Sequence, residues 1–405
     1  MTLKPSRARS WPDYAAIWRW HFYAGLFCIP FVIWLSLTGS IYLFRPDIEA
    51  LLDRPYENLQ IKGERPQPST EVETAVAAVK GSHFAHYEPP ATATGAAQIV
   101  VASGDKLWRV YVDPRSLKPM KILRDDLRPM EVVGKLHGAL LMGTTGSVIV
   151  EIAASWAIVL ILTGLFLWFP RNRKGFAGVL YPRLSNRGRL FWRDLHAVTG
   201  LWVSGIMLFM LVSGLPWSVA WGNYFTWARE FSAVTSGTPD WTVGGAKVEA
   251  PSSGNGDGKP ISMPGMSAAE MAAMSPANGH MAGMDDEDHK AMLLYSLDVV
   301  VPAVLKLNVP RPILITPPAG MDDNWTITSD NQNRLKRVTY TLSGADGSVI
   351  SRSGFNDQNI LDRVVNVGIS AHVGQLFGRG HHLHVRPNER QSFLDTSEVS
   401  RAVID

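Results

Sequence analysis

Three stretches of the chain are almost without charge, while the segments between them mix polar and apolar positions. Between Arg19 and Arg45 lie 25 residues with no charged side chain, WHFYAGLFCIPFVIWLSLTGSIYLF. A helix needs about 20 apolar residues to cross the hydrocarbon layer, so this run is long enough with some tilt. It is too long for a signal-peptide core, and no small-residue cleavage site follows it. A second run of 19 uncharged residues covers 152–170, and a third, 195–228, has its apolar centre in LWVSGIMLFMLVSGLPWSVAW. The pattern predicts three membrane-spanning helices, at 20–44, within 136–170 and at 195–221.

The segments after the first and third runs have shorter periods. Near Thr70 an acid-rich helix start precedes Val72, Ala75, Val76 and Val79, one apolar helical face. The alternating runs AQIVVAS and LWRVYVD then predict strands, with a turn at Asp113-Pro114. In the later segment LDVVVPAVLKL predicts a helix, and NWTITSD, RVTYTLSG and SVISRSG predict strands, with a turn at Asp346-Gly347. Helix followed by antiparallel hairpins, twice, predicts two similar α+β domains at 45–135 and 222–365.

Charge sets the expected orientation. Residues 1–19 carry Lys4, Arg7, Arg9 and Arg19 against Asp13. The loop 171–194 carries seven basic residues against Asp194 alone, whereas 45–145 holds 13 basic and 13 acidic residues. The N-terminus and the 171–194 loop are therefore expected on the cytoplasmic side, with both α+β domains opposite.

Composition hides this division. The 405 residues are 46% hydrophobic and 19% charged, averages that describe a soluble protein. The net charge of +3 gives no case for a nucleic-acid partner. The single cysteine, Cys28, excludes an intramolecular disulfide framework, a Cys-ligated zinc or iron–sulfur site, and Cys-x-x-Cys-His haem attachment. There is no G-x-G-x-x-G opening a helix after a strand, so an electron source would come from outside the chain.

An internal repeat singles out four histidines. His21, Gly25-Leu26-Phe27 and Thr38-Gly39 recur as His196, Gly200-Leu201-Trp202 and Ser213-Gly214, each offset by 175 residues. His137, Leu141 and Gly143 recur as His372, Leu376 and Gly378, offset by 235. The chain reads as two copies of a span, an outer domain and a His-bearing helix start, packed about an axis along the membrane normal. His21 and His196 then lie at the cytoplasmic beginnings of their spans, and His137 and His372 at the outer face. Two imidazoles facing across a helix bundle suit bis-histidine ligation of a b-type haem, with Gly25 and Gly200 letting a flat porphyrin near the backbone. A single histidine at a helix end is otherwise an interfacial polar residue. His83 and His86 lie outside the repeat and read as surface residues. Glu151 either faces the bundle, where it could relay protons, or sits at the outer interface. Trp18, Trp20, Trp168, Trp217 and Trp221 read as interfacial anchors.

HFYAGLF…PFVIWLSLTGSIYLF, LHGALLMGTTGSVIVEIAASWAIVLILTGLFLWFPR, WRDLHAVTGLW and AHVGQLFG resemble the PepSY-associated transmembrane-helix family of bacterial inner-membrane proteins. The resemblance covers roughly residues 15–378 and implies an α-helical integral membrane protein with two periplasmic PepSY-like α+β domains. Family members include ferric-siderophore reductases, so it implies haem b, with His21 and His196 holding a cytoplasmic-side haem and His137 and His372 a periplasmic-side one. The implied partners are the lipid bilayer, a ferric siderophore or other metal chelate, and a cytoplasmic-side donor such as a quinol or flavoprotein. No catalytic side chain is assigned.

Two segments depart from that pattern. Residues 263–292 hold half of the methionines. Met263, Met266, Met271, Met274, His280, Met281, Met284 and His289 are either soft ligands for Cu(I) or tolerated residues of a low-complexity insertion. After His372 the repeat calls for a fourth span, yet only 366–378 reads as its start and 379–405 is a polar tail that does not cross a membrane. His381, His382 and His384 in that tail are either metal ligands or incidental. The competing functions are a membrane-anchored, non-catalytic PepSY module that binds a partner, and copper handling or cupric reduction through the Met-rich loop.

Overall fold

The computed structural model describes residues 13–59, 64–170, 175–185, 187–231, 242–243, 246–247, 286–319 and 323–376. Among the described residues, three helices are long and apolar enough to cross a membrane: α1 (Tyr14–Leu43), α5 (Gly143–Trp168), and α6 (Arg189–Gly214) continued by a short 3-10 turn to Trp217. The Asp13 carboxylate caps α1 by accepting from the Ala16 amide at 2.7 Å. α1 packs along α5, and α5 along α6. The helix α7 (Val219–Phe231) follows α6.

Among the described residues, the strands of the two expected modules join in one antiparallel sheet. Its eight strands run in the order β10-β9-β8-β7-β1-β2-β3-β4. The first meander is β1 (His83–Glu88), β2 (Ala97–Ser103), β3 (Lys106–Asp113) and β4 (Lys118–Arg124). The second is β7 (Ile313–Thr316), β8 (Asn324–Ser329), β9 (Val338–Ser343) and β10 (Val349–Gly354). The two-residue strands β5 (Thr242–Val243) and β6 (Ala246–Lys247) pair only with each other. The two meanders join where β1 meets β7, with Tyr87 registered against Ile315.

One hydrophobic core spans that junction. α3 (Pro68–Ala78) contributes Val72 and Ala75, and α8 (Asp286–Lys306) contributes Leu297, Val300 and Val304. They cover Ile99, Val101, Val110, Ile315, Trp325 and Leu342 of the sheet. The periods explain the fit. In β7 and β8 buried and less buried positions alternate, as a sheet covered on one face requires, whereas β2 is buried almost throughout. The second face of β2 and β3 is covered where Leu59, beyond α2 (Arg45–Glu57), meets Ala96 and Tyr111. A carboxylate also ties the halves together. Asp298 on α8 accepts from the Ser69 amide at 2.8 Å and its hydroxyl at 2.6 Å, capping α3.

The His-bearing segments differ from expectation. His137 and His372 lie in the last turns of short helices, α4 (Pro129–Ala139) and α9 (Ile360–His372), not at the starts of long ones. After α4 the chain turns sharply through Leu140 and Leu141, both at positive φ, and Gly143 at φ +59° before α5 begins. At Gly146 the turn leaves no room for a side chain, since a Cβ there would fall 1.8 Å from the Ala139 carbonyl oxygen. The segment expected to begin a fourth span at 366 instead belongs to α9, which ends at His372, and Gly374 follows at φ +69°. The tail 379–405, with His381, His382 and His384, lies outside the described residues.

Candidate functional site

The four repeat histidines form two facing pairs. The rings of His21 and His196 have centroids 6.2 Å apart with planes at 69°. Those of His137 and His372 are 6.4 Å apart at 71°. A metal–imidazole bond is about 2.0–2.1 Å, and the ring centroid lies about 1.1 Å behind the ligating nitrogen, so two axial imidazoles on one ion place their centroids about 6.3 Å apart. Both pairs have that separation. The angle between the planes is free, because each plane contains the ligation axis. Among the described residues no three His, Cys, Asp or Glu side chains converge into a group that could hold a metal ion.

Three of the rings are held in one way. His137 Nδ1 lies 3.0 Å from Thr38 Oγ1, and His372 Nδ1 lies 3.1 Å from Ser213 Oγ. His21 Nδ1 lies 3.2 Å from Thr163 Oγ1 and 3.1 Å from the Leu160 carbonyl. The carbonyls of Leu35 and Met210, likewise three residues before the hydroxyl, accept from His137 and His372. Each hydroxyl donates its own proton up the helix: Thr38 to Trp34 O, Thr163 to Val159 O, Ser213 to Phe209 O. With that proton committed, the hydroxyl oxygen accepts from the imidazole, as the carbonyl must. The proton therefore sits on Nδ1, and Nε2 keeps a free lone pair.

Each hydroxyl is followed by glycine, and the ring occupies the space where a side chain would stand. A Cβ on Gly39 would lie 3.1 Å from His137 Cε1, on Gly164 2.9 Å from His21 Cε1, and on Gly214 3.2 Å from His372 Cε1. Gly25 and Gly200, the glycines expected to admit a porphyrin, are more open: a Cβ would meet only Leu160 at 3.6 Å in the first case and nothing within 4 Å in the second. His196 is exposed and makes no hydrogen bond among the described residues. A buried carboxylate nearby, Asp194, pairs with Arg183 at 2.6 Å and Arg193 at 2.9 Å.

The His137–His372 pair is drier. Burial, and then His137, lower the His372 pKa to about 4, and burial lowers that of His137, so both rings are neutral at pH 7, the form that ligates metals. Trp217, expected as an interfacial anchor, packs edge-on against His372 at 5.9 Å. Trp18, Trp20 and Trp221 are exposed. Glu151 is buried and accepts from the amides of Ala220 at 3.0 Å and Trp221 at 2.8 Å, a charge complementing the N-terminus of α7.

An ion-pair chain fixes α4 to the sheet. Arg109 pairs with Glu88 and with Asp125 at 2.7 Å, Arg128 with Asp125 at 3.8 Å and Glu49 at 3.1 Å, and Arg45 with Glu49 at 3.0 Å and Glu131 at 2.9 Å. Of the soft-ligand residues, Met263, Met266, Met271, Met274, His280, Met281 and Met284 lie outside the described residues. His289 falls in the first turns of α8, and its ring is not among the described side chains.

Sequence reasoning found the four histidines and saw Thr38-Gly39 and Ser213-Gly214 as repeated pairs. It missed Thr163-Gly164. The signal was the same Leu-hydroxyl-Gly pattern in the second span, LTG at 162–164 against LTG at 37–39.

The description of the PepSY-associated TM region fits residues 18–384, which include all four histidines and the three hydroxyl–glycine pairs. No curated protein matches the chain. The chain belongs to the PepSY-associated transmembrane family.

Proposed function

We propose that this protein is a haem-b-dependent inner-membrane electron-transfer protein that reduces periplasmic ferric siderophore complexes in iron acquisition. The observation that carries this reading is the pair of facing imidazole couples, 6.2 and 6.4 Å between centroids. A porphyrin supplies four nitrogens to iron, so two protein ligands complete the set. His21 and His196 would hold one haem and His137 and His372 the other. Bound haem supplies one-electron chemistry, its iron alternating between ferric and ferrous. The residues do the rest: Thr38, Thr163 and Ser213 keep Nε2 free and orient the rings, and Gly39, Gly164 and Gly214 give them room.

Seventeen residues separate His21 from Thr38, and His196 from Ser213. That is about 25 Å of helix rise, close to the thickness of a bilayer's hydrocarbon core, so the two pairs serve opposite faces. The basic N-terminus and 171–194 loop support a cytoplasmic N-terminus, with the sheet in the periplasm. The donor, a quinol or flavoprotein, would act at the cytoplasmic face. One electron converts the chelated Fe(III) substrate to Fe(II), which a hard oxygen ligand set holds less tightly.

The test is an absorption spectrum of the detergent-purified protein. A reducible b-type band is expected, reduced in intensity in His196→Ala and in His372→Ala and lost in the double variant. Well-folded protein that takes up no haem would overturn the reading in favour of an anchored, non-catalytic binding module. Unchanged Cu(I) binding after deletion of 263–292 would remove the copper alternative.

A further inference from the structure

Among the described residues, four buried side-chain polar atoms have no hydrogen-bond partner: Trp217 Nε1, Gln332 Nε2 and Oε1, and Gln375 Nε2. They come from three distant parts of the chain, yet they belong to one neighbourhood. Trp217 contacts the His372 ring at 5.9 Å, and the Arg334 guanidinium lies 5.9 Å above the Trp217 ring. The Arg334 amide donates to Ser370 Oγ at 3.1 Å, two residues before His372. Asn333, next to Gln332, donates from Nδ2 to the Gln375 carbonyl at 3.0 Å. Trp217 thus stands against His372, and Gln332 and Gln375 are tied to the same neighbourhood through Asn333, Arg334 and Ser370.

Buried polar groups are nearly always hydrogen-bonded, and a cluster left without partners calls for an occupant. The chemistry of that occupant follows from the inventory. An indole N–H only donates, and the two amide nitrogens donate as well. Three donors on one side of the site call for acceptor oxygens, and an ionised carboxylate, which only accepts, supplies them. Gln332 Oε1 is the one atom of the four that a carboxylate leaves unserved.

We propose that Trp217, Gln332 and Gln375 receive the propionate carboxylates of the haem held between His137 and His372. This rests on the haem reading above and deepens it. Trp217 packs against the His372 ring, and Gln375 follows His372 by three residues, so these donors would be within the neighbourhood of a macrocycle held there. Without that ligand the donors are desolvated and unpaired, so the site is built at the expense of the haem-free fold. The same oxygen chemistry could come from the ferric chelate, and the experiment separates the two.

The experiment compares protohaem with its dimethyl ester, in which both propionates are blocked, in the His196→Ala protein so that only the outer pair is read. Binding is followed by absorbance, in the parent and in Trp217→Phe, Gln332→Leu and Gln375→Leu. Esterification should weaken binding at least tenfold in the parent, and that ratio should shrink toward one as the donors are removed. The haem-free variants should melt at or above the haem-free parent, which separates lost binding from lost folding. An ester penalty equal in parent and variants, with a normal reducible band, overturns the propionate assignment and leaves the ligation reading intact. Absence of a haem band in every protein overturns both. If the variants instead lose affinity for a ferric hydroxamate chelate while the ester ratio stays unchanged, the anion is the substrate's and the assignment fails.

Discussion

A threonine at 38 and a histidine 99 residues later meet at 3.0 Å, and the direction of that bond decides what the histidine can do. Because Thr38 spends its proton on the Trp34 carbonyl, it accepts from His137 and leaves Nε2 bare. Removing such a partner of a metal-ligating histidine costs about 10–100-fold in affinity. On the haem reading proposed above, Thr38→Val should therefore weaken haem at His137–His372 by about that factor and leave the His21–His196 band unchanged, read by haem titration of each single-site protein. Equal weakening at both pairs would refute the local role. The paired histidines themselves were legible in the sequence because the repeat placed them at matching offsets. The orienting hydroxyls were visible only as repeated letters, since no spacing rule links Thr38 to His137. Thr163 was hidden further: its counterpart would fall 26 residues after His372, at Glu398, outside the described residues.

At the scale of elements, α4 owes its position to charge as much as to packing. Asp125, just ahead of α4, lies between Arg109 of β3 and Arg128. Burial alone would raise its pKa, but the two guanidinium groups outweigh that and hold it at about 2, below its ordinary 3.8. The folded state thus binds this proton less readily than the unfolded chain, so the ionised form stabilises the fold above pH 3.8. That contribution disappears as the pH falls from about 3.8 to 2. Asp125→Asn should cost about 3 kcal/mol at pH 7, because it strips a partner from the buried Arg109, and should flatten the acid limb of the stability profile. Chemical denaturation between pH 2 and 7 reads both effects; an unchanged acid limb would refute the assignment. None of this was legible beforehand. A charge-balanced segment shows its ionic content, but not which pairs are buried. The break between α4 and α5 was likewise unseen, because Leu140 and Leu141 are ordinary helix formers whose positive φ is imposed by the turn.

At the scale of the molecule, the two outer domains expected from the sequence are two halves of one sheet. The strands that fuse them, β1 and β7, were among those the periodicity did not find, as was the edge strand β4. β1 reads HFAHYE, with two histidines and a glutamate, and β7 is four residues long with prolines on both sides. Tyr87 and Ile315, partners across the seam, are both almost fully buried. Ile315→Ala should cost about 2–5 kcal/mol. It should also lower amide-exchange protection in β2 and β3 as well as in β8, because the core is shared. Loss confined to β7 and β8 would mean that the halves fold independently. The helix repeat, the three spans and most of the outer strands were legible because each has a period of its own. The seam was not, because it exists only once both halves are present.

The hydroxyl–glycine pairs give the long helices a double duty. α1 presents His21 at one end and steadies His137 at the other, and α6 does the same for His196 and His372. The two helices are unequal. α6 carries no proline between His196 and Ser213, whereas Pro30 interrupts the hydrogen-bond ladder of α1 midway between His21 and Thr38. α1 therefore has a hinge point between the groups it presents at its two ends, and α6 has none of that kind.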